Sequence, residues 1–151
     1  MKLMDTTSRL SDQNKEIEKE LSETESFFST LVQSAEDGIS FYDEKWELKF
    51  ANNAFYSILG VDRTYYHSSD PAEFIHPDDI SYNEKRIGAL REKGYYEGEL
   101  RLKHKDGHYV NLSTRSIVIR DDAGNITGFF TISRDITSLK KYHADLVQAK
   151  V

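Results

Sequence analysis

Histidines beside carboxylates are the residues of this sequence best suited to acid–base chemistry or metal binding. His76 stands two and three residues before Asp78 and Asp79, and an imidazole next to a carboxylate is the start of a general acid–base pair. Catalysis also needs a nucleophile and an orienting group in the same pocket, and no third member accompanies this set. Helix capping and solvation explain the two aspartates. The sequence therefore predicts that the chain is not an enzyme.

Two further histidines, His104 and His108, lie on either side of Asp106-Gly107. Histidine side chains bind transition metals. A two-residue Asp106-Gly107 turn would pair Lys105 with His108. In that register the two imidazoles point to opposite faces, because successive strand residues alternate. We therefore expect no metal site in this hairpin. Cysteine is absent, which excludes disulfides, thiolate metal sites and cysteine nucleophiles.

Polar and aliphatic residues alternate in the second strand of this hairpin. The same turn would pair Leu102 with Asn111 and Leu100 with Ser113. Since Leu100 and Leu102 should point toward the helices, the polar residues would line the interior and form a pocket for a polar or anionic small molecule. The predicted pocket residues are Tyr96, Leu102, Asn111, Ser113, Arg115, Thr131 and Ser133. Alternatively, such groups satisfy one another or hold trapped water.

The remaining side chains of these strands would form an exposed apolar band, which marks an interface. Val110 and Leu112 would lie on this outer face with Phe130 and Ile132 of the last strand. The N-terminal helix or a second copy of the chain would cover the band. A one-residue bulge in the hairpin would reverse the two faces.

Periodicity and turn signals predict the elements that carry these residues. Residues 1–36 contain no proline or glycine and follow a heptad pattern, which predicts a helix with a narrow dimerising seam. The alternative is a solvated, partly frayed helix. The a and d positions are Leu3, Thr7, Leu10, Asn14, Ile17, Leu21, Thr24, Phe28, Leu31 and Ala35. The predicted contacts between two copies centre on Leu21, Phe28 and Leu31.

The rest of the chain alternates strand and helix signals. Two short strands precede a helix that Asn52 or Asn53 can cap and that ends near Gly60. A turn-rich segment and a longer helix ending at Gly94 come next, followed by three strands and a C-terminal helix. Because the longer connections are helical, we predict an α+β fold: a five-stranded antiparallel sheet with short helices on one face, flanked by N- and C-terminal helices.

Asp135, Ile136 and Thr137 stand where the last strand gives way to the C-terminal helix. Thr137 can cap this helix, and Asp135 can interact with the positive end of its dipole. Apolar residues in the helix fit an a/d seam, so movement of the strand end would change the helix register. We predict that a signal leaves the domain here; the alternative is an ordinary capped terminal helix.

Five motifs occur in one order along the chain. They are Asn52-x-Ala54-Phe55 with Leu59-Gly60, His76-Pro77-Asp78-Asp79, Lys105-Asp106-Gly107, Asp122-x-Gly124-Asn125-Ile126 and Asp135-Ile136-Thr137. Together they resemble a PAS domain with its C-terminal PAC half, over roughly residues 24–137. The resemblance implies a sensory or dimerisation module that biases an output domain, a histidine kinase or diguanylate cyclase, through flanking helices.

The resemblance also divides the chain and bears on cofactors. Together with the heptad pattern, it predicts an N-terminal helix at 1–36, a PAS/PAC domain at 24–137 and the start of an output-linking helix at 138–151. Flavin-binding members of the LOV type carry a reactive cysteine, whereas the matching stretch here is Asp62-Arg63-Thr64-Tyr65. Haem-binding members present a histidine from the long helix, and residues 78–93 contain none. Haem and cysteinyl flavin are therefore not expected, and the ligand stays unidentified.

The overall composition limits the kinds of partner that the chain can bind. A net charge of −6 with interspersed signs offers no basic field for nucleic acid. No apolar run reaches membrane-spanning length. We predict a cytoplasmic homodimer that senses a small molecule, has no direct membrane insertion and belongs to a longer protein with a C-terminal output domain. The alternative is a ligand-free dimerisation spacer whose own side chains fill its core.

Overall fold

The computed structural model describes residues 2–149, with side chains from residue 5 onward. The side chain of Leu3 in the predicted seam, and residues 150–151 of the predicted output-linking helix, lie outside this description. The helices are α1 (Lys2–Ser34), α2 (Asn53–Leu59), α3 (Arg63–His67), α4 (Ile80–Lys93) and α5 (Thr137–Ala149), with 3-10 turns at Pro71–Phe74 and Pro77–Asp79. The strands are β1 (Gly38–Asp43), β2 (Leu48–Ala51), β3 (Tyr95–Lys103), β4 (Tyr109–Arg120) and β5 (Ile126–Asp135).

The chain separates into two compact units, residues 1–34 and 35–151. The first is the single helix α1, so the predicted N-terminal helix is confirmed. Its large apolar side chains Leu10, Ile17, Leu21, Phe28 and Leu31 are exposed. They recur at heptad spacing and form one stripe along the helix, which we call the α1 stripe. None of the helices described over residues 2–149 is both long enough and apolar enough to cross a lipid bilayer.

The second unit is built on one antiparallel sheet with strand order β2-β1-β5-β4-β3. Helices α2 to α4 cover its inner face, and the predicted α+β architecture is confirmed. The core lies between these layers and includes Phe129, Leu59 and Leu90, which are almost completely buried. Positive φ angles at Gly60 and Gly94 end α2 and α4, as the glycines predicted.

A buried asparagine joins α2 to β1. Asn52, and not Asn53, is the N-cap: its Oδ1 accepts the Phe55 N–H at 3.1 Å and the Ile39 N–H at 2.9 Å. Its Nδ2 donates to the Asp37 carbonyl at 3.0 Å. The side chain is fully buried, so these bonds replace water that cannot reach the site. Asn52 therefore fixes both the start of α2 and its position against the sheet.

The predicted register of the β3–β4 hairpin is wrong by one residue. Leu102 pairs with Val110, and Leu100 pairs with Leu112. The turn is a longer loop over His104–His108, closed by the His104 N–H bond to the His108 carbonyl at 2.8 Å. Since side chains alternate along a strand, a shift of one residue exchanges the two faces of β4.

This register reverses the predicted surroundings of five residues. Val110 and Leu112, expected on the outer face, are buried in the core. Asn111, Ser113 and Arg115, expected inside, lie on the opposite face, where Ser113 and Arg115 are exposed. Neither their predicted place in an interior pocket nor the predicted outward position of the two aliphatic residues is correct.

Candidate functional site

A cavity of about 270 Å³ lies between the helices and the inner face of the sheet. Aromatic rings form much of its wall, and Leu102 lines it as predicted for that residue. The polar members that matter for chemistry are Trp46, Asn83 and Arg86. We call this space the inner cavity.

Arg86 enters the inner cavity from α4. It lies four residues before Leu90, which is fully buried, so both residues face the sheet. Arg86 is only 9% exposed, and its guanidinium carbon lies 5.9 Å from the centre of the Trp46 ring. Burial lowers the pKa of Arg86, while the nearby Tyr42 and other tyrosines act in the opposite direction. A cation is thus held in an aromatic, largely dry environment.

Three buried polar atoms around the inner cavity have no hydrogen-bond partner. They are Arg86 Nε, Asn83 Oδ1 and Trp46 Nε1. None of the ion pairs among residues 5–149 includes Arg86. Buried polar groups in folded proteins nearly always have partners, and a buried cation without a counter-charge is unfavourable. The cavity therefore offers two donors and one acceptor to a bound molecule.

The other residues predicted to contact a ligand have different surroundings. Thr131 Oγ1 lies 2.8 Å from Ser116 Oγ, and this buried pair satisfies itself. Tyr96 packs against Tyr82, with ring centres 5.9 Å apart, and burial together with Tyr82 raises the pKa of Tyr96 to about 12. Ser133 is buried on the inner face of β5. None of these three lines the inner cavity.

Sequence reasoning missed Trp46, Asn83 and Arg86. Helical spacing alone places Ile80, Ile87 and Leu90 on one apolar face of α4. In the structure, however, Ile80 is 46% exposed and Arg86 is buried. An arginine four residues before a core leucine was the available signal. It was weak, because arginine side chains commonly bury their stems and keep the charge in water.

The outer face of the sheet carries an apolar row that crosses all five strands. Strand pairing aligns its members side by side. They are Phe50, Phe41, Phe130, Ile117 and Tyr95, which we call the outer row. Phe41 packs on Phe130 with ring centres 4.8 Å apart, whereas Ile117 and Tyr95 are exposed.

The remaining predicted interface residue, Ile132, lies on the same outer face as Phe130, as expected. It borders an open groove with Ser113, Arg115 and Arg134. The charges around this groove are already paired: Arg134 Nη2 lies 3.1 Å from Asp37 Oδ2, and Arg115 bonds a glutamate of β3 at 2.8 Å. Unlike Arg86, these arginines are exposed and have counter-charges.

The start of α5 is bonded to β4 as well as to β5. Asp135 Oδ1 accepts the Thr137 N–H at 2.9 Å. Thr137 Oγ1 accepts the backbone N–H of Asn111 at 3.0 Å, and the Ile136 N–H donates to the Asn111 carbonyl at 2.8 Å. The predicted capping role of the Thr137 hydroxyl is therefore incorrect, because that oxygen serves the strand while Asp135 serves the helix amide.

The His76-Pro77-Asp78-Asp79 segment holds α4 against β3. His76 Nδ1 accepts the Asp78 N–H at 3.0 Å. The Asp79 carboxylate accepts Arg101 Nε at 3.0 Å, Nη2 at 2.7 Å and the backbone N–H at 2.9 Å. These hydrogen bonds lower the pKa of Asp79. Both side chains are thus engaged in positioning an element of the fold.

The hairpin loop brings His104, Asp106 and His108 together. The two imidazole rings are stacked with centres 4.6 Å apart and an angle of 19° between their planes. Asp106 Oδ1 lies 3.2 Å from His104 Nδ1 and also contacts His108 Nδ1. The predicted separation of the histidines on opposite faces is wrong, because the corrected register places both in the loop.

Known proteins share this architecture. A curated relative is the methanogenesis regulatory histidine kinase FilI of Methanothrix harundinacea (strain 6Ac), 24% identical over 97% of this chain. The chain spans 16% of the length of that relative. Among solved structures, a PAS domain from Colwellia psychrerythraea matches with a TM-score of 0.67 at 22% identity, over 75% of this chain and 97% of the other.

The PAS domain of an HTR-like protein from Haloarcula marismortui also matches with a TM-score of 0.67, at 24% identity, over 81% of this chain and 99% of the other. At these identities the structural likeness concerns the fold alone. The sequence profile described as PAS fold matches residues 48–132. This match covers more than half of the 151 residues and runs from the start of β2 into β5. The chain belongs to the PAS family.

Proposed function

We propose that this chain is a cytoplasmic sensory module of a longer signalling protein and that it binds a small organic anion in the inner cavity. The observation that carries the proposal is the buried guanidinium of Arg86 with an unpartnered Nε and no ion pair among the described residues. An anion there would complete the hydrogen bonding and compensate the buried charge. The aromatic walls favour a ligand with an apolar part beside its anionic group.

The proposed output is a domain C-terminal to α5, of the histidine kinase or diguanylate cyclase type. The similarity to a regulatory histidine kinase supports the kinase form. A sensory module of this kind needs no chemistry of its own, and we propose that this chain is not an enzyme. His76 and Asp79, its best acid–base pair by sequence, are both held in structural hydrogen bonds.

Mass spectrometry of the purified chain tests the ligand proposal. We expect denaturation to release a stoichiometric small anion, or, if the protein is isolated empty, a library of organic carboxylates and phosphates to contain a compound that raises the melting temperature. An absorption spectrum separates this outcome from a haem or flavin chromophore. A chain that releases no anion and responds to no anionic compound would overturn the proposal and favour the ligand-free spacer.

We also propose that the module forms a homodimer through the α1 stripe and the outer row. The α1 stripe is exposed, and so are Phe50, Ile117 and Tyr95 of the outer row. Exposed apolar surfaces of this kind mark interfaces. A heptad stripe on a lone helix is satisfied by a second copy of the same helix. Dimerisation is the property that a ligand-free spacer would share with a sensor.

Replacing Leu21 and Phe28 by lysine should shift the protein toward monomer. Two charges in the α1 stripe remove apolar burial and repel their counterparts in the other helix. Sedimentation equilibrium at micromolar concentration measures the effect. The matched control is Ser22→Lys with Ser29→Lys, which adds the same charge to the same helix beside the stripe. Equal masses for the two double variants would contradict the seam.

Thr137→Val should weaken the connection between sheet and α5. Valine keeps the shape of threonine but leaves the Asn111 N–H without its acceptor, which should cost about 1 kcal/mol of unfolding free energy. Urea unfolding measures this loss, and regulation of the output domain in the parent protein should weaken as well. Ser138→Ala, at the next and exposed position, is the control. Unaltered regulation in Thr137→Val would contradict a signalling role for this junction.

A further inference from the structure

We propose that His104, Asp106 and His108 bind a divalent transition-metal ion of the zinc class at the tip of the β3–β4 hairpin. Each residue offers one donor atom, and the three donor atoms lie within 4.8 Å of one another. Asp106 Oδ1 lies 3.2 Å from His104 Nδ1 and also contacts His108 Nδ1. Among residues 5–149, this is the group of histidine and acidic side chains that converges in this way.

The loop holds the donors in place through its own hydrogen bonds. The Gly107 N–H donates to the His104 carbonyl at 3.0 Å, and Gly107 has a φ of 100°, which suits glycine. The Lys105 N–H donates to the Leu59 carbonyl at 2.9 Å, which ties the loop to the end of α2. The loop therefore loses less conformational entropy when an ion binds.

Packing against α2 selects the nitrogen of His104 that faces the ion. A Cβ added to Gly60 would lie 2.4 Å from both Cε1 and Nε2 of His104, so this edge of the imidazole rests against the glycine backbone. The Nδ1 edge is directed toward Asp106, whose exposed backbone N–H lies 3.2 Å from it. When an ion binds the Nδ1 lone pair, the Asp106 N–H can donate its hydrogen bond to water instead.

The donor set determines the class of ion. Two imidazoles and one carboxylate match the ligands of zinc and neighbouring transition metals, whereas magnesium and calcium prefer oxygen ligands alone. Three protein donors leave at least one position for water or another ligand. The Lys105 ammonium lies 6.0 Å from the centre of the Tyr65 ring, and this contact gives the nearby positive charge another partner.

Titration of the untagged 151-residue chain with zinc chloride, followed by calorimetry, tests the site. We expect one zinc ion per chain. His108→Asn and Asp106→Asn should each lower the association constant at least about 10-fold, since even loss of residues that only orient metal ligands costs this much. Asp106→Asn retains an oxygen to accept the His108 N–H, so the loop can keep its shape. Cobalt substitution and its visible absorption report the coordination independently.

His143→Asn is the matched control, because His143 is an exposed histidine in α5, outside the loop. The zinc affinity of the His143→Asn variant should equal that of the original chain. Absence of one-to-one binding in the original chain would overturn the proposal. Equal affinity in His108→Asn, in Asp106→Asn and in the original chain would overturn it too, because the ion would then lie elsewhere.

Discussion

Arg86→Met should raise the free energy of unfolding of the ligand-free module by about 1–2 kcal/mol, since replacing buried charge by an apolar side chain of similar volume is often stabilising. Arg86 is buried, its Nε has no partner, and burial lowers its pKa. Methionine removes the desolvated charge and is flexible enough to fill part of the inner cavity. Urea unfolding of ligand-free protein measures the change.

The same substitution should weaken anion binding by about 10-fold to 100-fold, because a hydrogen bond to a charged group contributes about 1.5–3 kcal/mol. Greater stability combined with weaker binding is the pattern expected of a residue maintained for a ligand. The control is Lys85→Met, at the preceding and exposed position of α4. It should change stability by less than about 0.5 kcal/mol and leave binding unaltered.

A structural role for Arg86 would give the opposite result. If the guanidinium mainly supported the packing of Trp46 and the tyrosines, Arg86→Met would destabilise the module and leave its affinity for the anion intact. That outcome would contradict the proposed ligand contact. The anion would then bind to residues other than Arg86.

Asn52→Ala should lower the free energy of unfolding by about 3 kcal/mol, since each buried group left without a partner costs about 1–3 kcal/mol and such costs are not fully additive. Alanine deprives the Phe55 and Ile39 amides of their acceptor and the Asp37 carbonyl of a donor. It also removes the N-cap of α2. Urea unfolding, followed by circular dichroism, measures the loss.

Asn53→Ala is the control for this prediction, because Asn53 is the first residue of α2 and is exposed. Its effect should be small by comparison. A third variant, Asn52→Ser, keeps a side-chain oxygen that can still cap α2 but loses the amide donor to Asp37. Its free energy of unfolding should lie between those of Asn52→Ala and Asn53→Ala. Equal stability of Asn52→Ala and Asn53→Ala would show that the buried hydrogen bonds contribute little.

The candidate site illustrates where sequence patterns are informative. The order of strands and helices, the helix ends at Gly60 and Gly94 and the turn into α5 follow from local signals. Those signals act over a few residues, through φ restrictions and capping, and so can be recognised in the sequence. The prediction that the interior is polar and binds an anion depended on Asn111, Ser113 and Arg115 of β4, which lie on the other face of the sheet. The buried cation is instead Arg86 of α4.

Local chemistry in the sequence determined which elements form and in what order, and the motifs were sufficient to indicate the PAS family. The faces of β4 were decided by tertiary contacts at the hairpin loop, where the Lys105 N–H bonds the Leu59 carbonyl and His104 packs against Gly60. These contacts take the loop residues out of the two-residue turn that Asp106-Gly107 suggested. Because strand side chains alternate with a period of two, that single-residue difference reversed the inside and outside of the strand.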